Sequence, residues 1–213
     1  MNKKLQMKNY LDALYKIDRM YENGMAYVSE DESLKKLMPE IGLGDGNFGK
    51  TNETSYRDIL EYNNLSWNHK FNSPRVDYEN HKRKLLIEYK TLNKQYQRGK
   101  IDEYLPKKLF DDAATHSYIN PYPQNNQQSV GSQSVIGDIE KLLLLPESYT
   151  RMIILHLWDN ETYPADTHLD MLNWMVNKYY DVDGCTFQYN DSINDMSTRC
   201  NIVVYKIKGK RGL

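Results

Sequence analysis

The run Met152-Ile153-Ile154-Leu155-His156-Leu157-Trp158 constrains this chain more than any other stretch, because it is almost continuously apolar. It is too short to span a membrane, and it lacks the polar alternation of a half-solvated strand. It reads as a strand covered on both faces, which needs paired neighbours and a layer of structure above and below. The 213 residues, 39% of them hydrophobic, supply one domain with a substantial core and would be cramped as two. The expected fold class is α+β: a single domain over residues 1–213 with a mixed twisted sheet and a polar loop at about 115–134.

Periodicity places the other elements. Leu11, Leu14, Ile17 and Tyr21 recur at helical spacing, giving a helix over residues 8–22 closed by Asn23-Gly24. Residues 29–50 are rich in charge and carry Gly42, Gly44, Gly46 and Gly49, so they read as a loop. Thr54 or Ser55 caps a short helix through Ile59, Leu60 and Tyr62. Over residues 78–99, Leu85, Leu86, Tyr89, Leu92 and Tyr96 follow a helical period, giving a surface helix with one buried seam. Residues 135–145 are helix-compatible and stopped by Pro146, residues 186–189 and 202–207 read as strands, and residues 168–180 fit either a helix or a strand.

Charge and cysteine usage narrow the function classes. Lys and Arg number 28 against 29 Asp and Glu, so net charge does not indicate nucleic acid or an acidic membrane as partner, although a local basic patch is compatible with that balance. Cys185 and Cys200 cannot build a disulfide framework, and without a Cys/His cluster at ligand spacing no metal is expected. No stretch approaches the ~20 apolar residues of a membrane span, and reduced thiols fit a cytoplasmic protein. Eighteen tyrosines against four phenylalanines favour wet interfaces, pointing to a homo-oligomer or other partners.

Gly44-Asp45-Gly46-Asn47-Phe48-Gly49-Lys50-Thr51 matches the spacing of a phosphate loop, in which backbone N–H groups cradle phosphates, Lys50 reaches the terminal phosphate and Thr51 holds magnesium. Such a loop must leave a buried strand. Lys35, Lys36, Pro39 and Glu40 interrupt the segment before it, and that argues against the reading.

The same glycines admit a second explanation. Gly42-Leu43-Gly44-Asp45-Gly46-Asn47-Phe48-Gly49 is followed, in order, by residues 136–146, then Tyr149-Thr150-Arg151, a strand ending Trp158-Asp159, Thr167-His168, two strands within 174–189, residues 191–195, and Asn201-Ile202. This ordered set resembles the thymidylate synthases and the related pyrimidine hydroxymethylases. The resemblance implies a thymidylate-synthase-like sheet, a homodimer, and a ligand-binding set of Arg151, Trp158, His168, Asp195 and Asn201. Arg151 looks like a phosphate-binding arginine and Asn201 like the asparagine that offers a donor and an acceptor to a uracil edge, with His168 and Asp195 ordering waters.

Departures from the family weigh on the chemistry. Thr167 stands where the family keeps its nucleophilic cysteine, and a hydroxyl supplies essentially no nucleophilic anion without an adjacent base. Thr150, Asp191 or Ser192, and Ile41 look like the positions of other phosphate-binding arginines. No catalytic residue and no cofactor are therefore expected. The reading is a protein that binds a pyrimidine nucleotide or nucleoside without methyl transfer, or a non-catalytic interaction protein. The alternatives are a divergent pyrimidine-modifying transferase and a phosphate-loop protein using residues 44–51. Plainer roles stand beside these: Asn201 as a strand-starting residue, His168 in a helical first turn, and Arg151 as a surface ion-pair residue.

Overall fold

The computed structural model describes residues 30–49, 51–68, 73–92, 109, 134–159, 165–193 and 196–212. The helix expected over residues 8–22, the loop expected at about 115–134 (except for Ser134), Lys50 and Asp195 lie outside the described residues. The architecture is α+β, a small single domain built on a mixed six-stranded sheet.

Strands β1 (Asn47–Phe48), β4 (Tyr78–Asn80), β5 (Leu85–Leu92), β6 (Thr150–Asp159), β8 (Met196–Lys210) and β7 (Tyr180–Ile193) lie side by side in that order, and β2 (Thr54–Ser55) pairs with β3 (Arg75–Val76) in a separate ribbon. The apolar run forms β6, with nine of its ten residues buried. It pairs in parallel with β5 and antiparallel with β8, Ile153 facing Glu88 on one side and Tyr205 on the other. A parallel pair cannot be closed by a hairpin, and the β5-to-β6 connection contains helix α3 (Val135–Leu142). Helix α4 (Asp166–Tyr179) links β6 to the edge strand β7, which turns back into β8.

Alternation along β6 divides the core. Ile153, Leu155 and Leu157 pack with Ile139 of α3, Leu172 of α4, and Tyr56 and Ile59 of α2 (Tyr56–Glu61). Met152, Ile154 and Trp158 face the other way, toward Leu34, Leu37 and Met38 of α1 (Glu30–Glu40). Each fully buried Leu or Ile contributes about 1.5–3 kcal/mol of transfer free energy, so both layers favour the same strand register.

Two expected elements are corrected. Residues 30–40 form a helix rather than a loop: Glu30, Asp31 and Glu32 suit the positive end of the helix dipole, and Leu34, Leu37 and Met38 provide a helical stripe. Its stop uses Gly42 at φ 74°, where Leu43 N–H donates to Met38 O and Gly42 N–H to Pro39 O. Residues 78–92 form a β-hairpin rather than a surface helix, since Leu86 and Ile87 are buried against opposite helical layers.

Ser55 caps α2, accepting from Asp58 N–H at 3.1 Å, as its position suggested. Residues 168–180 resolve as helix up to Tyr179. Among the described residues no helix is long and apolar enough to cross a membrane.

Candidate active site

The period of two along β5 sets Leu86, Glu88 and Lys90 on the face covered by α2 and α3. Glu88 is 4% exposed. A buried carboxyl needs a partner, and Glu88 has two: Tyr56 donates its hydroxyl to Oε1 at 2.9 Å, and Asp77 shares a hydrogen bond with it. Asp77 sits between β3 and β4, and its Oδ2 accepts the backbone N–H of Tyr89 at 2.8 Å. Burial first, then the nearby charges of Asp77 and Asp138, hold the Glu88 carboxyl well above the ordinary range, against the pull of Lys141. Burial also raises Asp77, although the Tyr89 amide and the bond from Glu88 oppose it. Both carboxyls are thus biased toward keeping a proton, Glu88 the more strongly.

Lys90 reaches Asp138 on α3 at 2.9 Å, and Lys141, one helical turn on, reaches the other oxygen at 2.5 Å. Burial works against the Asp138 charge, but the two lysines outweigh it and leave its pKa lowered. Burial likewise disfavours the Lys90 ammonium, and Asp138 and Glu30 more than restore it. Glu30, at the start of α1, accepts from Thr91 N–H at 2.9 Å. Helices from both faces and the ribbon that carries Asp77 therefore meet around the last residues of β5.

A second polar network lies at the far end of β6. Arg199 forks onto Asp159 at 2.9 and 2.5 Å and reaches Asp166 at 2.8 Å. Asn201 donates to Asp159 at 3.1 Å and accepts from Gln188 at 2.7 Å. Asp159 also takes the N–H of Ala165, which fixes the entry to α4. Beside this network a hollow of about 310 Å³ opens between α4 and β7, lined by Asp166, Leu169, Asp170, Asn173, Thr186 and Gln188.

The residues singled out from the sequence are scattered relative to this hollow. Asn201 is beside it, its amide engaged at both ends by Asp159 and Gln188. His168 lies in the first turn of α4 but does not line the hollow, and its Nδ1 has no hydrogen-bond partner. Trp158 faces the opposite layer, its ring 3.8 Å from that of His156. Arg151 stands at the start of β6, six residues before the position paired with Asn201, roughly 20 Å along the strand. Its guanidinium donates to the carbonyls of Leu145 and Lys208. These contacts make Arg151 a brace between chain segments.

The phosphate-loop spacing also has a structural explanation. Residues 44–49 follow helix α1 and run into the edge strand β1, whereas a phosphate loop leaves a central strand. A Cβ on Gly46 would lie 2.4 Å from the ring of Tyr78, so this glycine serves close packing. Neither thiol is poised as a nucleophile: burial pushes Cys185 up to about 11, and Cys200 is fully buried against His156.

No family model, curated sequence or solved structure matches this chain. Among the described residues, no three His, Cys, Asp or Glu side chains stand together as a ready-made metal cage. The carboxylate and lysine residues of the β5 site escaped sequence reading because a helix over 78–99 would turn Glu88 and Lys90 about 200° apart. Read as a strand, the acid-x-lysine spacing within Leu85–Leu92 puts both on one face, with Asp77 one short strand upstream.

Proposed function

We propose that Asp77, Glu88 and Lys90 form the reaction centre of a divalent-cation-dependent phosphodiester hydrolase acting on nucleic acid. The observation that carries this reading is the buried Glu88 carboxyl, held by Tyr56 with the half-buried Asp77 next to it, and a lysine two residues on along the same strand face. Neighbouring carboxyls with little water around them are costly to ionise together, and a cation can take a proton's place. An all-oxygen pair suits Mg²⁺ or Mn²⁺, which bind through one or two carboxylates and complete their shells with water and phosphate oxygens.

The reaction class follows from these groups. A water oxygen bonds to phosphorus, the ester P–O bond breaks, and the departing oxygen takes a proton, giving a phosphomonoester and an alcohol. A bound cation supplies stabilisation of the charge that develops on the phosphate oxygens. Asp77 and Glu88 would hold it, Tyr56 would fix Glu88 through its hydroxyl, and Lys90 would direct a positive charge at the phosphate or the attacking water.

The test is cleavage of end-labelled single- and double-stranded DNA and RNA, with bis-p-nitrophenyl phosphate as a small diester, in Mg²⁺ or Mn²⁺. Asp77→Asn, Glu88→Gln and Lys90→Ala should each lower the rate at least ~100-fold. Absence of cleavage in every substrate, together with no calorimetric binding of Mn²⁺, would overturn the proposal.

The hollow beside Gln188 favours a second reading, in which the protein binds a pyrimidine nucleoside. Its size suits a base, and Asn173, Thr186 and Gln188 supply polar groups to orient one. Asp166 and Asp170 line the same space, so a neutral nucleoside fits better than a 5′-phosphate. Calorimetry with deoxyuridine, dUMP and a Gln188→Ala control decides it.

A further inference from the structure

The turn between β4 and β5 carries Lys82-Arg83-Lys84, the one place in the sequence where three cations are consecutive, and His81 precedes them. Arg83 reaches Asp45 at 3.4 Å, whereas Lys82 and Lys84 have no carboxylate partner among the described residues. Lys84 holds φ at 49°, a left-handed conformation that suits glycine or asparagine; the other described non-glycine residue at positive φ is Asn64, a type that adopts it readily. Backbone strain of this kind concentrates where a side chain is needed for binding.

The Lys84 side chain is held in place. Its Nζ donates to Asn63 Oδ1 at 3.2 Å and lies 4.7 Å from the centre of the buried Tyr149 ring. Asn63 Nδ2 donates to the Tyr149 hydroxyl at 3.4 Å, and that hydroxyl meets His81 Nδ1 at 2.7 Å. With the hydroxyl donating onward to Nδ1, the exposed His81 ring presents Nε2–H as a donor. Tyr62, 59% exposed, stands edge-on to the same ring at 5.5 Å. Donors and cations thus gather around one exposed aromatic ring, a combination that suits a phosphate backbone with a base stacked beside it.

We propose that the His81–Lys84 turn, braced by Asn63 and Tyr149, is a docking site for a nucleic-acid backbone phosphate away from the reaction centre. The choice of nucleic acid rests on the phosphodiester reading. Asn63 and Tyr149 place Lys84 on the sheet face that carries Glu88, which lies four residues on, roughly 13 Å along β5. One phosphate cannot touch both, so the turn takes a different phosphate of the same strand.

The experiment uses the full chain and a fluorescein-labelled oligonucleotide in EDTA, where no cleavage intervenes, and reads Kd over a salt series. Lys82→Ala/Lys84→Asn should weaken binding at least ~10-fold and make the log Kd against log salt slope shallower by about 1.4–1.8, the share of two phosphate contacts. Asparagine keeps the left-handed turn, so this variant should melt no lower than Lys82→Ala alone. Lys84→Arg, which keeps the charge, should retain most of the affinity. Tyr149→Phe keeps the ring under Lys84 and removes only the hydroxyl that orients His81, so it should weaken binding without changing the slope. Lys36→Ala, on the opposite helical layer, should change neither.

No oligonucleotide binding by wild type, equal binding by wild type and Lys82→Ala/Lys84→Asn, or an equal loss in Lys36→Ala overturns the docking site. Oligonucleotide binding that depends on Lys82 and Lys84 in a protein that neither cleaves nor binds Mn²⁺ overturns the reaction-centre reading and keeps the docking site.

Discussion

Tyr56 donates its hydroxyl to Glu88 Oε1 at 2.9 Å, and Asp77 lies beside the same carboxyl. A glutamine can reproduce both of its contacts, accepting from Tyr56 and donating to Asp77, without a titratable proton. The folded-state pKa of Glu88 is raised, so the native state binds the proton more tightly than the unfolded chain does. Stability from this group is therefore full below the ordinary value of 4.5 and is lost as pH rises through the folded value. Glu88→Gln should match wild type near pH 4.5, exceed it by about 1 kcal/mol or more at pH 8, and lose Mn²⁺ binding. Urea titrations at the two pH values check the first part, and a variant less stable at pH 8 would contradict it.

Arg199 clamps Asp159, whose side chain is fully buried, with two parallel bonds. Arg199→Ala leaves that carboxylate without its cation and should destabilise the fold by roughly 3–5 kcal/mol. Arg199→Lys keeps the charge but not the fork, and should recover only part of the loss. Denaturant midpoints that fall equally for both variants would show that charge alone is irrelevant here.

His156 is wholly buried, and its ring nitrogens reach Cys200 Sγ at 2.8 Å and Tyr89 Oη at 3.3 Å. Burial lowers its pKa to about 3. The unfolded chain protonates near 6.5 while the native state does not, so stability falls as pH drops from about 6.5 toward 3. The full span corresponds to about 5 kcal/mol. His156→Gln should flatten the stability profile between pH 6 and pH 4, and the wild-type imidazole should show no NMR titration over that interval. A native midpoint above pH 5 would refute it.

Gly46 and Gly42 separate two uses of glycine. Alanine at position 46 meets the buried Tyr78 ring, which its hydroxyl ties to Leu43 O at 2.9 Å, so the ring cannot yield freely. Gly46→Ala should cost about 1–3 kcal/mol or more. At Gly42 a Cβ meets nothing within 4 Å and only the positive φ opposes it, for about 1 kcal/mol. Thermal melts should therefore rank the position 46 variant as the less stable.

Local pattern alone determined several parts of this protein. The apolar run read as a doubly covered strand from its length and its lack of polar alternation, and Ser55 marked a helix start through chemistry confined to its own neighbourhood. Residues 78–92 were misread because Leu85, Leu86, Tyr89 and Leu92 fit a period of 3.6 as well as they fit a strand buried on both faces, and only pairing with β6 chooses between them. The same pairing decided the site. Asp77, Glu88, Lys90, Asp138 and Lys141 come from a turn, a strand and a helix, and their mutual charges become significant only when folding removes the water between them.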